Sequence, residues 1–315
     1  MKLLYNMNYG KIDVEAIRNA DSTIEFAGAE SHEEMTGHAP DAEIIMGIGA
    51  DFKKLFPLCR QLKWVQIGGA GVEWLLTPEL VESDVIVTNA QGIFAQPMAD
   101  HIMVMALTFS RGLLDLLEAK KRHIWHKGLK LQELSGQTMG IVGLGAVGEA
   151  VAERARGFGM RVIGLRRHPE RGSSFADEVW GTDRLEELMG VSDHIALTLP
   201  LTNDTRNIIG RRELEQVKPG AYIYNVGRGK VVDQDALIEL LKNGRIAGAG
   251  LDVFAREPLE EDSELWDMPN VIISPHHSAS SQNIFKRRSE LYCENIRRFV
   301  AGETLLNVVD KRNGY

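Results

Sequence analysis

Cysteine is nearly missing from this chain: Cys59 and Cys293 are the only two in 315 residues, and they lie far apart. Two such residues make neither a disulfide framework nor a C-x-x-C site, and they fit reduced thiols in a cytoplasmic protein. Long apolar runs are missing too. The longest, residues 102–109, ends at Ser110 and Arg111, well short of the roughly 20 residues that span a bilayer. Residues 1–13 are too short and too polar to read as a signal peptide. There is no excess of positive charge: 36 Lys and Arg against 44 Asp and Glu leave a net charge of −8. That excludes a protein that binds nucleic acid through bulk positive charge. No repeat, low-complexity tract, P-loop or G-x-S-x-G is present. His32-Glu-Glu…His38 lacks the H-E-x-x-H spacing, so it reads as a solvated loop and no metal is expected.

What is present is an alternation. Short runs rich in Val and Ile predict strands at residues 2–5, 43–47, 64–67, 85–88, 139–142, 161–165, 194–199, 221–225, 247–251 and 271–273. Periodic segments lie between them. The clearest is 233–243, where Asp233 can cap a helix with Leu237, Ile238, Leu240 and Leu241 on one face, and Gly244 ends it. Uninterrupted apolar strands alternating with helices predict α/β architecture, with parallel sheets covered on both faces. Two longer helical stretches, 98–117 and 281–300, interrupt the alternation and would connect two doubly wound domains. Residues 1–97 plus 286–315 would form one domain, with residues 98–285 inserted as the other.

Gly143-Leu-Gly145-Ala-Val-Gly148 is a complete G-x-G-x-x-G, following a strand and opening a helix. That context makes it a dinucleotide site. Gly143 permits the tight turn, Gly145 lets a pyrophosphate approach the backbone, and Gly148 lets helix and strand pack closely. The helix start at Ala146 and Val147 would present free N–H groups to the phosphates. An acid at the end of the next strand would bind the ribose 2′-hydroxyl of NAD. Here the chain has Arg166 and Arg167 instead. Two guanidiniums suit the 2′-phosphate of NADP; the alternative is a pair of solvated arginines.

Three later segments also follow strands: Asn225-Val-Gly-Arg228-Gly, Asp252-Val-Phe-Ala-Arg-Glu257-Pro, and Ser274-Pro-His276-His277. Arg, Glu and His at neighbouring strand ends suit hydride transfer to a keto acid. Arg can hold a carboxylate or polarise a carbonyl, and His can pass a proton. With these pieces the chain resembles the D-2-hydroxyacid dehydrogenase family over nearly its whole length. Further matching segments are Gly68-Gly-Ala-Gly71-Val72, Val87-Thr-Asn89-Ala-Gln-Gly92, Ala99-Asp100-His101 and Leu199-Pro200-Leu-Thr. Arg166 stands where NAD-dependent members have Asp, Asp100 where Glu is commoner, and His277 where an aliphatic residue is usual.

The resemblance implies a Rossmann cofactor domain inserted into a flavodoxin-like substrate domain. It implies Arg228 on the substrate carboxylate and carbonyl, His276 as acid/base and Glu257 as its partner. Gly69, Ala70, Gly71 and Val72 would cradle the carboxylate. Leu199, Pro200, Thr205, Val226, Gly227 and Asp252 would line the cofactor, with Asp252 by the nicotinamide amide. Met7, Asn8, Ile48 and Gly49 would build the side-chain pocket. The activity implied is NADPH-dependent reduction of small 2-keto acids such as glyoxylate and hydroxypyruvate, in a cytoplasmic homodimer with Trp125 in a dimer arm. The alternative is a cofactor-sensing, corepressor-like binding protein.

Overall fold

Twelve strands in two parallel sheets organise the computed structural model, which describes residues 1–8, 12–49 and 51–314. The chain divides into one unit of residues 1–94 with 281–315 and a second of residues 95–280.

The first unit carries β1 (Lys2–Asn6), β2 (Glu25–Ala29), β3 (Ile44–Met46), β4 (Trp64–Gln66) and β5 (Ile86–Thr88), in the order β2-β1-β3-β4-β5. That is the flavodoxin-like strand order. Consecutive residues point to opposite faces of a strand, and the two cores follow that rule. Leu4, Ile45 and Val65 pack on one face; Leu3, Tyr5, Ile44, Met46 and Trp64 pack on the other, against Tyr292, Cys293 and Ile296 of the helix Ile284–Ala301.

The second unit carries β6 (Thr138–Val142), β7 (Arg161–Leu165), β8 (Glu178–Trp180), β9 (His194–Leu197), β10 (Tyr222–Asn225), β11 (Gly248–Leu251) and β12 (Val271–Ile273). Their order is β12-β11-β10-β9-β6-β7-β8. The chain winds outward from β6 to β8, then restarts at β9 and winds the other way. This is the Rossmann pattern, with its topological switch point between β6 and β9, where such sheets bind ligands at the carboxyl ends.

Three expectations need correction. β2 and β8 were not anticipated; both are edge strands, and β2 reads Glu-Phe-Ala-Gly-Ala with only Ala29 buried, so neither shows a full apolar signal. The helix expected over 98–117 is two helices, Ala95–Ser110 and Leu113–Lys121, because Gly112 adopts φ +61° and ends the first. The stretch around His32 is the helix His32–His38, not a loop; the Ser31 hydroxyl caps it by accepting from the Glu34 N–H at 3.1 Å. Ile48 is buried in the core of the first unit.

Candidate active site

The glycine loop follows β6. Gly143 sits at φ +104°, and a Cβ there would come within 3.2 Å of the Leu199 backbone. The loop therefore lies directly against the strand end across the switch point, and the Thr198 hydroxyl ties it there by donating to the Gly143 carbonyl at 2.6 Å. A Cβ on Gly148 would meet the Gly143 carbonyl oxygen at 2.5 Å, so only glycine allows this packing. A Cβ on Gly145 would meet nothing within 4 Å, so the space above it is open. The helix Ala146–Gly157 starts there with no side-chain cap. The N–H groups of Ala146, Val147 and Gly148 have no intrahelical acceptor at that end. An open cradle over uncapped N–H groups at a positive helix end fits a dinucleotide pyrophosphate. Across the switch point, Thr205 clasps its own loop: its hydroxyl donates to the Pro200 carbonyl at 2.6 Å and accepts from the Thr202 N–H at 2.8 Å.

Arg166 follows β7. One of its nitrogens, Nη1, donates to the Gly172 carbonyl at 2.6 Å and lies 3.5 Å from Glu149 Oε1. The Ser173 hydroxyl donates to the other oxygen of Glu149 at 2.6 Å. Glu149 is in the first turn of the glycine-loop helix, so an acid lies beside Arg166 although none directly follows β7. Arg167 is more exposed and lies 3.5 Å from Asp204.

The other flank of the sheet carries Arg228, Glu257 and His276 on the segments that follow β10, β11 and β12. Val226 is buried in the core just after β10, and Arg228 follows it. The Asn225 side chain shapes this turn by accepting from the Gly227 N–H at 3.1 Å and donating to the Arg228 carbonyl at 3.1 Å. A Cβ on Gly229 would lie 1.9 Å from the Phe254 backbone, so the Arg228 turn is packed against the segment after β11 without a gap. On that segment Glu257 accepts the Phe254 N–H at 3.1 Å and holds His276 Nδ1 at 2.7 Å. His276 sits at φ +51°, an uncommon conformation for a residue with a Cβ. Its N–H donates to the Asp252 carbonyl at 2.9 Å. With Nδ1 bonded to a carboxylate, Nε2 is left facing outward, and the side chain is about half exposed. Neighbouring His277 makes a different contact: its ring meets that of His101 edge-on, with centroids 5.7 Å apart.

Asp252 is fully buried. Burial alone would raise its carboxyl pKa. Hydrogen bonds from the Ser274 hydroxyl at 2.5 Å and the Ser278 and His277 N–H groups at 3.0 and 2.9 Å outweigh that and hold it below the usual range. Three donors leave a carboxylate with acceptor capacity to spare. The cluster extends to His101, whose Nε2 lies 2.9 Å from the Ser274 hydroxyl. Burial pushes this imidazole down, partly offset by the Asp252 charge. Only tertiary proximity, through Ser274, shows the link of His101 to Asp252.

In the first unit, the turn after β4 carries Gly69, Ala70, Gly71 and Val72. Its carbonyls are all taken: Gly69 by the Ala90 N–H, Ala70 by the Asn89 amide, Gly71 by the Trp74 indole and Val72 by the Leu75 N–H. With the carbonyls spent inward, the turn's N–H groups are the ones left to meet an anion.

A sequence profile described as D-isomer specific 2-hydroxyacid dehydrogenase, NAD binding domain, matches residues 103–278. A glyoxylate reductase from Korarchaeum cryptofilum is 35% identical over 269 residues, covering 82% of this chain and 79% of that protein. Among solved structures, a D-isomer specific 2-hydroxyacid dehydrogenase from Xanthobacter autotrophicus in complex with NADPH and MES superposes with a TM-score of 0.85. It is 31% identical and covers 100% of this chain and 99% of that one. An NADPH-dependent glyoxylate/hydroxypyruvate reductase from Sinorhizobium meliloti, in complex with NADP and sulfate, has a TM-score of 0.83 at 29% identity, covering 100% and 99%. Sequence profile, relatives and fold agree with the strand-end chemistry: the chain belongs to the D-isomer specific 2-hydroxyacid dehydrogenase family and is a 2-keto acid reductase of that family.

Proposed function

We propose that this enzyme reduces small 2-keto acids of the glyoxylate and hydroxypyruvate type to D-2-hydroxy acids, with NADPH preferred over NADH. The observation that carries the chemistry is the 2.7 Å pairing of Glu257 with His276 Nδ1 at a strand end adjoining the Arg228 turn. In this reading the residue 95–280 unit holds the dinucleotide and the other unit the substrate.

When bound, the reduced nicotinamide supplies a hydride for the keto carbon. His276 donates the proton that the carbonyl oxygen takes up, from Nε2, while Nδ1–H stays bonded to Glu257. Glu257 fixes the ring orientation through its contact with Nδ1. Arg228 suits a substrate carboxylate and negative charge growing on the carbonyl oxygen, and the N–H groups of residues 69–72 suit an anionic group of the substrate. Gly143, Gly145, Ala146, Val147 and Gly148 would hold the pyrophosphate, and Leu199, Pro200 and the loop clasped by Thr205 would line the cofactor. Val226, Gly227 and Asp252 would line it too, with Asp252 by the nicotinamide amide. Arg166 and Arg167 take the 2′-phosphate. The NADP complexes of two family members support that assignment.

We also propose a cytoplasmic homodimer. Val104, Leu113, Leu116, Leu117, Ile124 and Trp125 are all exposed within one stretch of sequence, Trp125 at 87%, and exposed apolar side chains of this kind suit an interface between subunits. Light scattering at micromolar concentration checks this; a monomer refutes it. No described helix is long and apolar enough to cross a membrane, and the partners proposed are small keto acids, without nucleic acid. A panel of 2-keto acids, each assayed with NADPH and NADH, tests the function. Turnover with a higher kcat/KM for NADPH supports it, and no turnover of any keto acid refutes it.

A further inference from the structure

The helix Ile284–Ala301 runs antiparallel to the smaller sheet, and two contacts fix its register. Phe299 packs on Trp64, the first residue of β4, with ring centroids 5.2 Å apart. Four residues earlier in the chain, the Asn295 amide donates to Gln66 Oε1, at the last residue of β4, at 2.9 Å. Arg288 lies seven residues further toward the helix start, about 10 Å along the axis at 1.5 Å per residue. It therefore overhangs the carboxyl ends of the strands. Its neighbours agree. Ser289 accepts the N–H of Asp13, which caps the helix that follows β1. Arg287 donates to the carbonyl of Ile93, beyond the end of β5.

Arg288 is also on the inward stripe of this helix, one turn before Tyr292 and two before Ile296, which are 1% and 0% exposed. Its Nε is buried and has no hydrogen-bond partner among the described residues. The other arginines of the helix differ: Arg287 has the Ile93 carbonyl, and Arg297 and Arg298 have Glu294. A guanidinium turned inward with a buried N–H unsatisfied is costly unless a ligand completes it. The planar fork fits a carboxylate or a phosphate. It stands at the same sheet edge as the turn of residues 69–72.

We propose that Arg288 sets specificity for the far end of the substrate, binding a second anionic group, carboxylate or phosphate, of a 2-keto acid. This rests on the keto-acid reductase reading, in which the N–H groups of residues 69–72 take the first carboxylate. The class selected is then the dianionic 2-keto acid.

The test uses the full-length enzyme with saturating NADPH, as wild type, Arg288→Met and Arg288→Lys. The substrates are 2-ketobutyrate, with a neutral tail, 2-ketoglutarate, with a carboxylate tail, and 3-phosphohydroxypyruvate, with a phosphate tail. Wild type should favour at least one anionic tail over the neutral one in kcat/KM. Arg288→Met should lose that substrate by roughly 10- to 100-fold, as for one charge-assisted bond pair, while 2-ketobutyrate changes less than about threefold. Arg288→Lys should recover part of the loss, and the substrate with the larger loss names the anion. Equal losses on neutral and anionic substrates, no loss, or a wild-type preference for the neutral tail overturns the proposal and leaves the reductase reading standing. If no keto acid turns over, that reading fails. Calorimetric titration of the two anionic compounds into the NADP⁺-loaded protein then decides Arg288 by itself. Weaker binding of either in Arg288→Met supports it, and unchanged affinity for both overturns it.

Discussion

The two flanks of the seven-stranded sheet are built differently. On the β10–β12 side, each polar group arrives with its partners in place: Glu257 holds both the Phe254 N–H and His276, and Asp252 holds three donors. On the β6–β7 side, the glycine loop offers uncapped backbone N–H groups, and Arg166 rests on a neighbouring acid and a carbonyl. The first flank is preorganised, as transition-state stabilisation requires. On the proposed reading the second binds the cofactor, which leaves after every turnover, and a 2′-phosphate there would compete with the internal partners of Arg166. Changes on the first flank should therefore alter kcat, and changes on the second should alter cofactor affinity and choice.

The largest expected effect lies on the first flank. His276→Ala should lower kcat by on the order of 10²–10⁴ for a lost general acid, with NADPH affinity close to wild type by fluorescence titration. His277→Ala, whose ring has no contact with Glu257, should be mild. A crippled His277→Ala beside a mild His276→Ala would reverse the assignment.

The opposite edge of the same sheet offers a stability effect unconnected with catalysis. His194, at the start of β9, is buried between Tyr224 and Gln137, with contacts of 2.8 and 2.6 Å, and burial pushes its pKa down to about 4. The unfolded chain binds this proton near pH 6.5 and the folded one only near 4. Stability from the neutral ring is therefore complete above pH 6.5 and is lost as pH falls toward 4, by about 3 kcal/mol. Urea midpoints across that window should fall more steeply for wild type than for His194→Gln. Parallel curves would show that the site does not govern acid stability.

On the cofactor flank, one guanidinium–phosphate bond is worth about 1.5–3 kcal/mol, or roughly 10- to 150-fold in favour of NADPH. Arg166→Asp should reverse the preference in kcat/KM, and salt should weaken it in wild type. Glu149→Gln sharpens the comparison: with the competing acid neutralised, NADPH should gain a few-fold over NADH. A wild-type preference for NADH would mean that Arg166 stays on Glu149 and Gly172 instead of turning to the cofactor.

The smallest effect returns to the first flank. Glu257→Gln keeps the shape and one hydrogen bond but loses the charge, and kcat should fall about tenfold with KM for the keto acid nearly unchanged. A rise in KM alone would place Glu257 in substrate binding.

What could be read from the sequence divides along physical lines. Central strands are buried on both faces and showed as apolar runs; edge strands β2 and β8 are half exposed and did not. The Arg228, Glu257 and His276 segments were visible because each directly follows a strand, so local pattern placed them at one sheet edge. Glu149, His101 and Arg288 were not visible. Each acquires its surroundings from a segment distant in sequence, Glu149 from the loop after β7, His101 from Ser274, and Arg288 from the register of a helix on a sheet. The turn at residues 69–72 could be recognised as glycine-rich, but not that its carbonyls are all spent. Gly112 could have been read as a helix stop; the apolar period running through it concealed the break.

The central claim is that the preorganised flank delivers a proton to a keto acid while a hydride arrives on one face. The most direct measurement is the configuration of the product formed from hydroxypyruvate and NADPH. The account predicts stoichiometric NADPH oxidation with D-glycerate as the product, abolished together in His276→Ala. L-Glycerate, or NADPH oxidation that persists unchanged in His276→Ala, would contradict it.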